Sequence, residues 1–330
     1  LHLSLRRQRQ MCIRDSKDAD VYATKRDLTA GAVSKAIGLK ILPKKIADAN
    51  IKGLIHWHDL DYSPANQYHN CGLIDLEDML KNGFTLGNAD VESPHTLTTA
   101  VAQASQILSA ISSSQYGGCS YDRIDEVLAP YAKKSFKKHL KIAKSLNIED
   151  QKNYAEIMTR REIQQAMQSF EYEINTLYSS NGQTPFVTLG FGLGTSWFER
   201  EIQIGILHQR IAGLGKDHRT AIFPKLLFTI KPGVNMHPKD PNYDIKKLAL
   251  KSVIKRMSPE ILNYDNVIDI TGSFKASMGC RSFLSAMSPE DLKARGETHD
   301  YSSGRLNLGV VSLNPVSYTH LRAHETRSNL

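Results

Sequence analysis

The chain has 330 residues, enough for one large domain or two ordinary ones, and 41% of them are hydrophobic, which suffices for a packed core. Lysine and arginine number 42 against 34 aspartates and glutamates, a formal charge of +8, and the four cysteines are scattered. No run of about 18 apolar residues is present, which excludes a helical membrane span, and the cysteine spacing excludes a disulfide framework or a zinc knuckle.

In chain order, residues 1–16 (LHLSLRRQRQMCIRDS) show neither apolar periodicity nor turn chemistry continuous with the residues they adjoin, and residues 315–330 (PVSYTHLRAHETRSNL) behave the same way. Both resemble translated sequencing-adapter read-through, in the strings MCIRDS and VSYTHLRAHET, and are expected to be non-native and without packed contacts. An ordinary disordered basic tail is the alternative. The native chain is then read as residues 17–314. Removing the +3 and +1 carried by the two ends leaves +4, too mild for a nucleic-acid groove but suited to a small anionic ligand. The thiols that remain, Cys71, Cys119 and Cys280, fit a reducing compartment, and with no credible signal peptide the expected location is cytoplasmic.

Ser93-Pro94 reads as an N-cap followed by proline at the first helical position, and LTTAVAQASQILSAI continues at helical spacing to a stop at Gly117-Gly118. A second helix is predicted through YDRIDEVLAPYAKKSFKKHLKIAKSL, with Pro130 as a candidate bend, and a third through YAEIMTRREIQQAMQSFEYEINTLYSS, ending at Asn181-Gly182. These three are polar-faced and are expected to form a helical group. Beyond them, TPFVTLGFG, SWFEREIQIGILHQRIAGLG, FPKLLFTI and DIKKLALKSVIKRM alternate strand and helix, which predicts an α/β fold with a mainly parallel sheet. There is no internal repeat and no clean domain boundary.

Chemistry in such a fold is expected at the C-terminal ends of strands, and four stretches are candidates for it. In HWHDLDYSP, His56 and His58 alternate with Trp57, so an extended backbone turns both imidazoles to one side, as a metal seed or as structural or substrate-contacting groups. In GFGLGTSWFER, Gly190, Gly192 and Gly194 lie between a strand and a helix start, where backbone amides hold a phosphate or where tight packing forbids a side chain. The acidic residue that a dinucleotide fold places about 20 residues on falls here in a loop, AGLGKDHRT, which makes a Rossmann dehydrogenase the lesser reading. Cys71 in NCGLIDL and Cys119 read as small buried hydrophobes. Cys280 in SFKASMGCRSF stands apart, because Lys275 and Arg281 favour a thiolate there if the loop is exposed.

Taken together and in order, HWHDLDYSP, NCGLIDL, GNADVESP, SSQYGG, RIDEVLAPY, SFEYEINTL, SNGQTPFVTLGFGLGTSW, RIAGLGKDHRTAIFPKL, DPNYDIKKLAL, KRMSPEILNYD, TGSFKASMGCRSFL and GRLNLGVVSLN resemble the anaerobic, class III ribonucleoside-triphosphate reductases. The similarity spans nearly all of residues 17–314. It implies an α/β fold that is part of a ten-stranded barrel of the glycyl-radical type, with the helical group at the dimer and effector side. The implied reaction replaces the ribose 2′-hydroxyl of a ribonucleoside triphosphate with hydrogen, with formate as reductant.

The resemblance also implies roles. Cys280 matches the thiyl cysteine, Cys71 the second active-site cysteine on the other face of the sugar, Asn307 a polar contact to the ribose hydroxyl, and Met278 a methionine beside the thiyl loop. Glu92, Gln106, Lys137 and Lys138 are candidate contacts to a dNTP or ATP effector, or simply a solvated charged face. His56 and His58 fall near this region and near the substrate. The implied partners are a second copy of the chain and a radical activating protein carrying S-adenosylmethionine and a 4Fe-4S cluster; nucleic acid and membrane are not among them. An N-terminal ATP-cone has no counterpart before Lys17, and the family's zinc site and radical glycine are expected beyond the last matched residue, with no metal bound by this chain. SAMSPEDLKARGETHDYSS after Cys280 is longer and more charged than the family pattern. The fragment alone is therefore expected to be inactive; the alternative is a truncated nucleotide-binding paralogue without catalysis.

Overall fold

The computed structural model describes residues 22–65, 69–176, 179, 184–274, 277–278, 283, 287–294, 296, 303–317 and 319. Cys280, residues 1–16 and most of residues 318–330 lie outside the described residues. The chain enters through α1 (Tyr22–Ile41) and α2 (Lys44–Ile51), reaches a short strand β1 (Ile55–Trp57), and then begins its central sheet with β2 (Gly72–Leu73). Helix α3 (Leu76–Asn82) is capped by Asp75, whose carboxylate accepts from the Asp78 amide, and the hairpin β3 (Phe84–Leu86) and β4 (Ala89–Val91) comes after it.

Next come α4 (Leu97–Ser112), β5 (Cys119–Tyr121), α5 (Ile124–Ser145), α6 (Gln151–Thr176), β6 (Val187–Phe191), α7 (Trp197–Ala212), β7 (Lys225–Ile230), α8 (Tyr243–Arg256), β8 (Glu260–Asn263), α9 (Tyr264–Thr271), α10 (Pro289–Ala294) and β9 (Val311–Leu313). Strands β2, β5, β6, β7 and β8 lie side by side in that order, and every pairing between them is parallel. This is the parallel α/β sheet that a partial barrel requires. All five residues of β6 are buried, as are the four central residues of β7, which is what a strand covered on both faces demands.

The core lies between this sheet and the helical group α4 to α7, with Tyr121, Leu128, Ile163, Phe170, Ile202 and Phe228 in one continuous cluster. Helix α4 starts later than its sequence suggests. Thr96, not Ser93, is the N-cap and accepts from the Thr99 amide, so Pro94 stays in the approaching loop. The threonine three residues on supplies the cap that proline geometry alone only suggested. Helix α5 continues through Pro130. Three helices meet at Glu162, whose carboxylate accepts from Thr98, Ser135 and His139. Burial pushes this carboxyl up, but the three hydrogen bonds outweigh it and hold the group below its ordinary range.

One ion pair is sunk between α6 and α7. Arg210 Nε stands 3.0 Å from Glu171 Oε1, and its terminal nitrogens donate to the Ala221 and Pro224 carbonyls. Burial pushes the Glu171 carboxyl up and the Arg210 guanidinium down, each against the attraction of the other. Such a pair adds little over an apolar replacement, yet removing one partner strands a charge. Arg210→Met is therefore expected to lower stability by about 3–5 kcal/mol in urea unfolding, with most of it recovered in Glu171→Leu/Arg210→Met; equal loss in the single and double variants would contradict this.

Candidate active site

The C-terminal stretch from Gly304 to Asn314 is laid as a strap along the edge of the molecule. Its first half runs antiparallel to the entry of β2: Leu73 N donates to Arg305 O, Asn307 N to Cys71 O, and Asn70 N to Asn307 O. Its second half contains β9, which pairs antiparallel with β1, matching His56 to Ser312. Tyr116 pins the middle, its hydroxyl donating to Leu308 O at 2.6 Å while its ring stacks on Tyr62.

At the first crossing the side chain of Asn307 turns back on its partner, and its Oδ1 accepts from the Cys71 amide at 2.7 Å across 236 residues of sequence. The sulfur is gripped as well: the Gly118 amide donates to Cys71 Sγ at 3.1 Å, and the thiol donates to Asn70 Oδ1 at 2.9 Å. This approach depends on Gly117. A Cβ there would stand 1.9 Å from Asn70 Oδ1 and 2.6 Å from Cys71 Sγ. Sequence reasoning read Gly117-Gly118 only as a helix stop and passed over Asn70. The available signal was the doubled glycine, one more than a helix terminus needs.

Cys71 and Asn307 thus meet at the N-terminal ends of β2 and β5, not at the C-terminal ends where chemistry was expected. The reason is local: the sulfur needs a free backbone amide, and the amide on offer belongs to Gly118, just before β5. Gly192 and Gly194 lie at the other end, just past β6, whose five residues at about 3.3 Å each set the two places roughly 17 Å apart. Their amides are also already engaged. Both donate to Asp125 Oδ2 at 3.2 Å, and Gln203 Nε2 donates to the same oxygen at 2.6 Å. Gly190 is inside β6, opposite Leu227. In this arrangement a protein carboxylate sits where a phosphate was considered, and the close approach of Gly192 to Thr229 O accounts for its missing side chain.

Burial pushes the Asp125 carboxyl up to about 7, with Glu126 adding to it and the two glycine amides and Gln203 opposing. Met278 is buried, and Cys280, two residues on in sequence, lies outside the described residues. Cys119 is fully buried among Ile107, Tyr121 and their neighbours, and burial pushes its thiol up to about 12 despite the hydrogen bond from Gln115. The His56 and His58 rings meet edge to face at 4.5 Å, and His58 Nε2 lies 2.8 Å from Ser312 Oγ on the strap. No group of three or more metal-ligating side chains occurs among the described residues. Glu92 is tied to α4 through its carbonyl, which accepts from Gln103, while Gln106 on α4 and Lys137 and Lys138 on α5 face outward. No helix among the described residues is long and apolar enough to cross a membrane.

A family model for anaerobic ribonucleoside-triphosphate reductase matches residues 15–327. The reductase of that name from Haemophilus influenzae is 54% identical over 300 residues, covering 91% of this chain and 41% of the relative, so the chain spans less than half of that protein's length. Among solved structures, the anaerobic ribonucleotide reductase from Thermotoga maritima with MES in the active site aligns at a TM-score of 0.56 and 14% identity, over 94% of this chain and 51% of that one. The same Thermotoga maritima enzyme in complex with dATP and CTP aligns at 0.50 and 14%, over 73% of this chain and 41% of that one.

Gly117→Ala is expected to lower the urea midpoint by an amount worth about 1–3 kcal/mol, since backbone and sulfur must both give way; an unchanged midpoint would refute the close approach. For Asp125, the folded state retains a proton that the unfolded chain releases near 3.8. Stability should therefore fall as pH rises from about 4 to about 7, by at most about 1.4 kcal/mol per unit. Asp125→Asn should flatten that slope in denaturation curves taken across the same window.

Proposed function

The chain belongs to the anaerobic ribonucleoside-triphosphate reductase family, and on that premise we propose that it supplies the thiol-bearing part of a formate-dependent radical reductase of ribonucleoside triphosphates. The observation that carries this reading is the meeting of Cys71 and Asn307, two residues 236 apart in sequence, at hydrogen-bond distance. A purely structural pair has no need of a half-buried thiol whose sulfur accepts a backbone amide.

On this reading Asn307 binds the ribose hydroxyl. Its Oδ1 is committed to the Cys71 amide, so its side-chain NH2 remains to donate toward the sugar. Cys71 gives its hydrogen at one face of the ribose, and Cys280 abstracts the 3′-hydrogen from the other, with Met278 beside it. A thiyl radical suits that step because the S–H bond it forms is similar in strength to the C–H bond it breaks. Cys280 would become the thiyl radical by giving its thiol hydrogen atom to the glycyl radical, which would supply the radical character when present. That radical and the zinc site are assigned to sequence beyond this chain, and S-adenosylmethionine and the 4Fe-4S cluster to the activating partner. The dATP and CTP bound by the Thermotoga maritima enzyme support a ribonucleoside triphosphate as substrate and a dNTP as effector, and ATP as a further effector rests on the family resemblance. Effector contacts fall to Glu92, Gln106, Lys137 and Lys138 in a homodimer, and His56 and His58 stay near the substrate side. The phosphate role considered for Gly190, Gly192 and Gly194 has no place here, because Asp125 holds two of their amides. The compartment implied is the cytoplasm.

The test is turnover. Extended to the relatives' full length, activated without oxygen and given formate, the protein should form dNTP, while the 330-residue chain alone should form none. Cys71→Ser should leave the glycyl radical signal but abolish dNTP, and Cys280→Ser should leave the signal and abolish 3′-hydrogen abstraction. Nucleotide binding with no dNTP from the extended, activated protein would instead establish the non-catalytic paralogue.

A further inference from the structure

Asn70, the residue next to Cys71, takes no part in the radical steps, yet it is held from every side. Its amide donates to Asn307 O at 3.0 Å, its carbonyl accepts from Gly117 N at 2.8 Å, and it is 6% exposed. With its backbone pinned on both sides and the residue buried, Asn70 presents its side chain to the thiol as a confined acceptor. Its Oδ1 lies 2.9 Å from Cys71 Sγ, close for a bond from sulfur, and the Gly118 amide approaches the same sulfur as donor at 3.1 Å.

The two contacts make different demands on the sulfur. The Gly118 N–H needs a sulfur lone pair, whereas Asn70 Oδ1 needs the thiol hydrogen. Both are satisfied together only when S–H points toward Asn70, so the pair selects a direction for the hydrogen and not merely a position for the sulfur. An asparagine adjacent to its cysteine reaches that sulfur only because the backbone folds back against Gly117, where a side chain would collide with both groups. Bulk is therefore excluded at the one point where it would separate Asn70 from Cys71.

We propose that Asn70 is a positioning residue that orients the thiol hydrogen of Cys71, with the Gly118 amide holding the sulfur. The contribution of Asn70 to turnover rests on the reductase reading; the Asn70 to Cys71 contact does not.

The S–H stretching band of Cys71 is observable in the 330-residue chain by infrared spectroscopy, as the difference between the parent and Cys71→Ser. The parent band should lie at the lower frequency of a hydrogen-bonded thiol, move up in Asn70→Leu, and stay low in Asn70→Asp, which keeps an acceptor. Asn70→Ala, which needs no added space, replaces Asn70→Leu if that variant fails to fold by circular dichroism. A parent band already at the free-thiol position, or one that neither Leu nor Ala moves, overturns the proposal. In the extended, activated protein, Asn70→Leu should lower kcat by about tenfold or more with KM within about twofold, and Asn70→Asp should restore part of it. A shifted band with unchanged kcat overturns the positioning role. If the extended parent makes no dNTP, the reductase reading has failed, and the infrared band alone decides the contact.

Discussion

Everything at the proposed site rests on how closely two backbones pass each other at Gly117. Without a Cβ at that position, the Asn70-Cys71 peptide lies against the turn before β5, and the sulfur reaches the Gly118 amide. That contact fixes where β2 enters the sheet, and the strap from residue 304 onward pairs with the strand so placed. Asn307 then needs no element of its own to hold it. Its backbone is fixed by antiparallel pairing, and its side chain by the amide it accepts.

The two ends of the parallel sheet are finished in different ways. At the C-terminal end the turn after β6 is sealed: Asp125 takes two glycine amides, Asn235 donates to Gly192 O, and Gln203 and Asn242 donate to Gly194 O. Most polar groups of that turn are spent on one another, while Asp125 Oδ1 and Gln203 Oε1 are buried without a hydrogen-bond partner among the described residues. At the N-terminal end the polar groups converge on a half-buried sulfur. A buried polar network stiffens its surroundings to the extent that its members are satisfied. The two ends of the sheet therefore differ, one turn being tied within itself and the other bringing its polar groups to a thiol.

Much of this was legible in the residues. Strand and helix alternation after residue 184 announced the parallel sheet, because buried parallel strands such as VTLGF are apolar throughout and need no period to be recognised. The three long helices were readable from their apolar spacing. The end of the sheet at which Cys71 and Asn307 meet was not, since strand polarity is set by pairing and β2 is only two residues long. Nor was the fate of Gly192 and Gly194, because the carboxylate that fills their turn comes from Asp125, 67 and 69 residues earlier. A glycine turn looks alike in sequence whether its anion is a ligand or a side chain. Cys71 and Asn307 were paired by family resemblance; no local pattern in NCGLIDL or GRLNLG announces that they touch.

The strap has a consequence for how the protein is made. Asn307 comes 236 residues after Cys71, and at a synthesis rate of about 5–20 residues per second that separation takes roughly 12–47 s to traverse. Through that interval the thiol exists on the ribosome without the strand that later lies across it, and Tyr116 has no Leu308 carbonyl to bind. Closing so long a loop costs little more entropy than closing one half its size, so the delay is set by translation and not by the search. The nascent chain thus passes through a stage in which the Cys71 sulfur is covered only by its immediate neighbours.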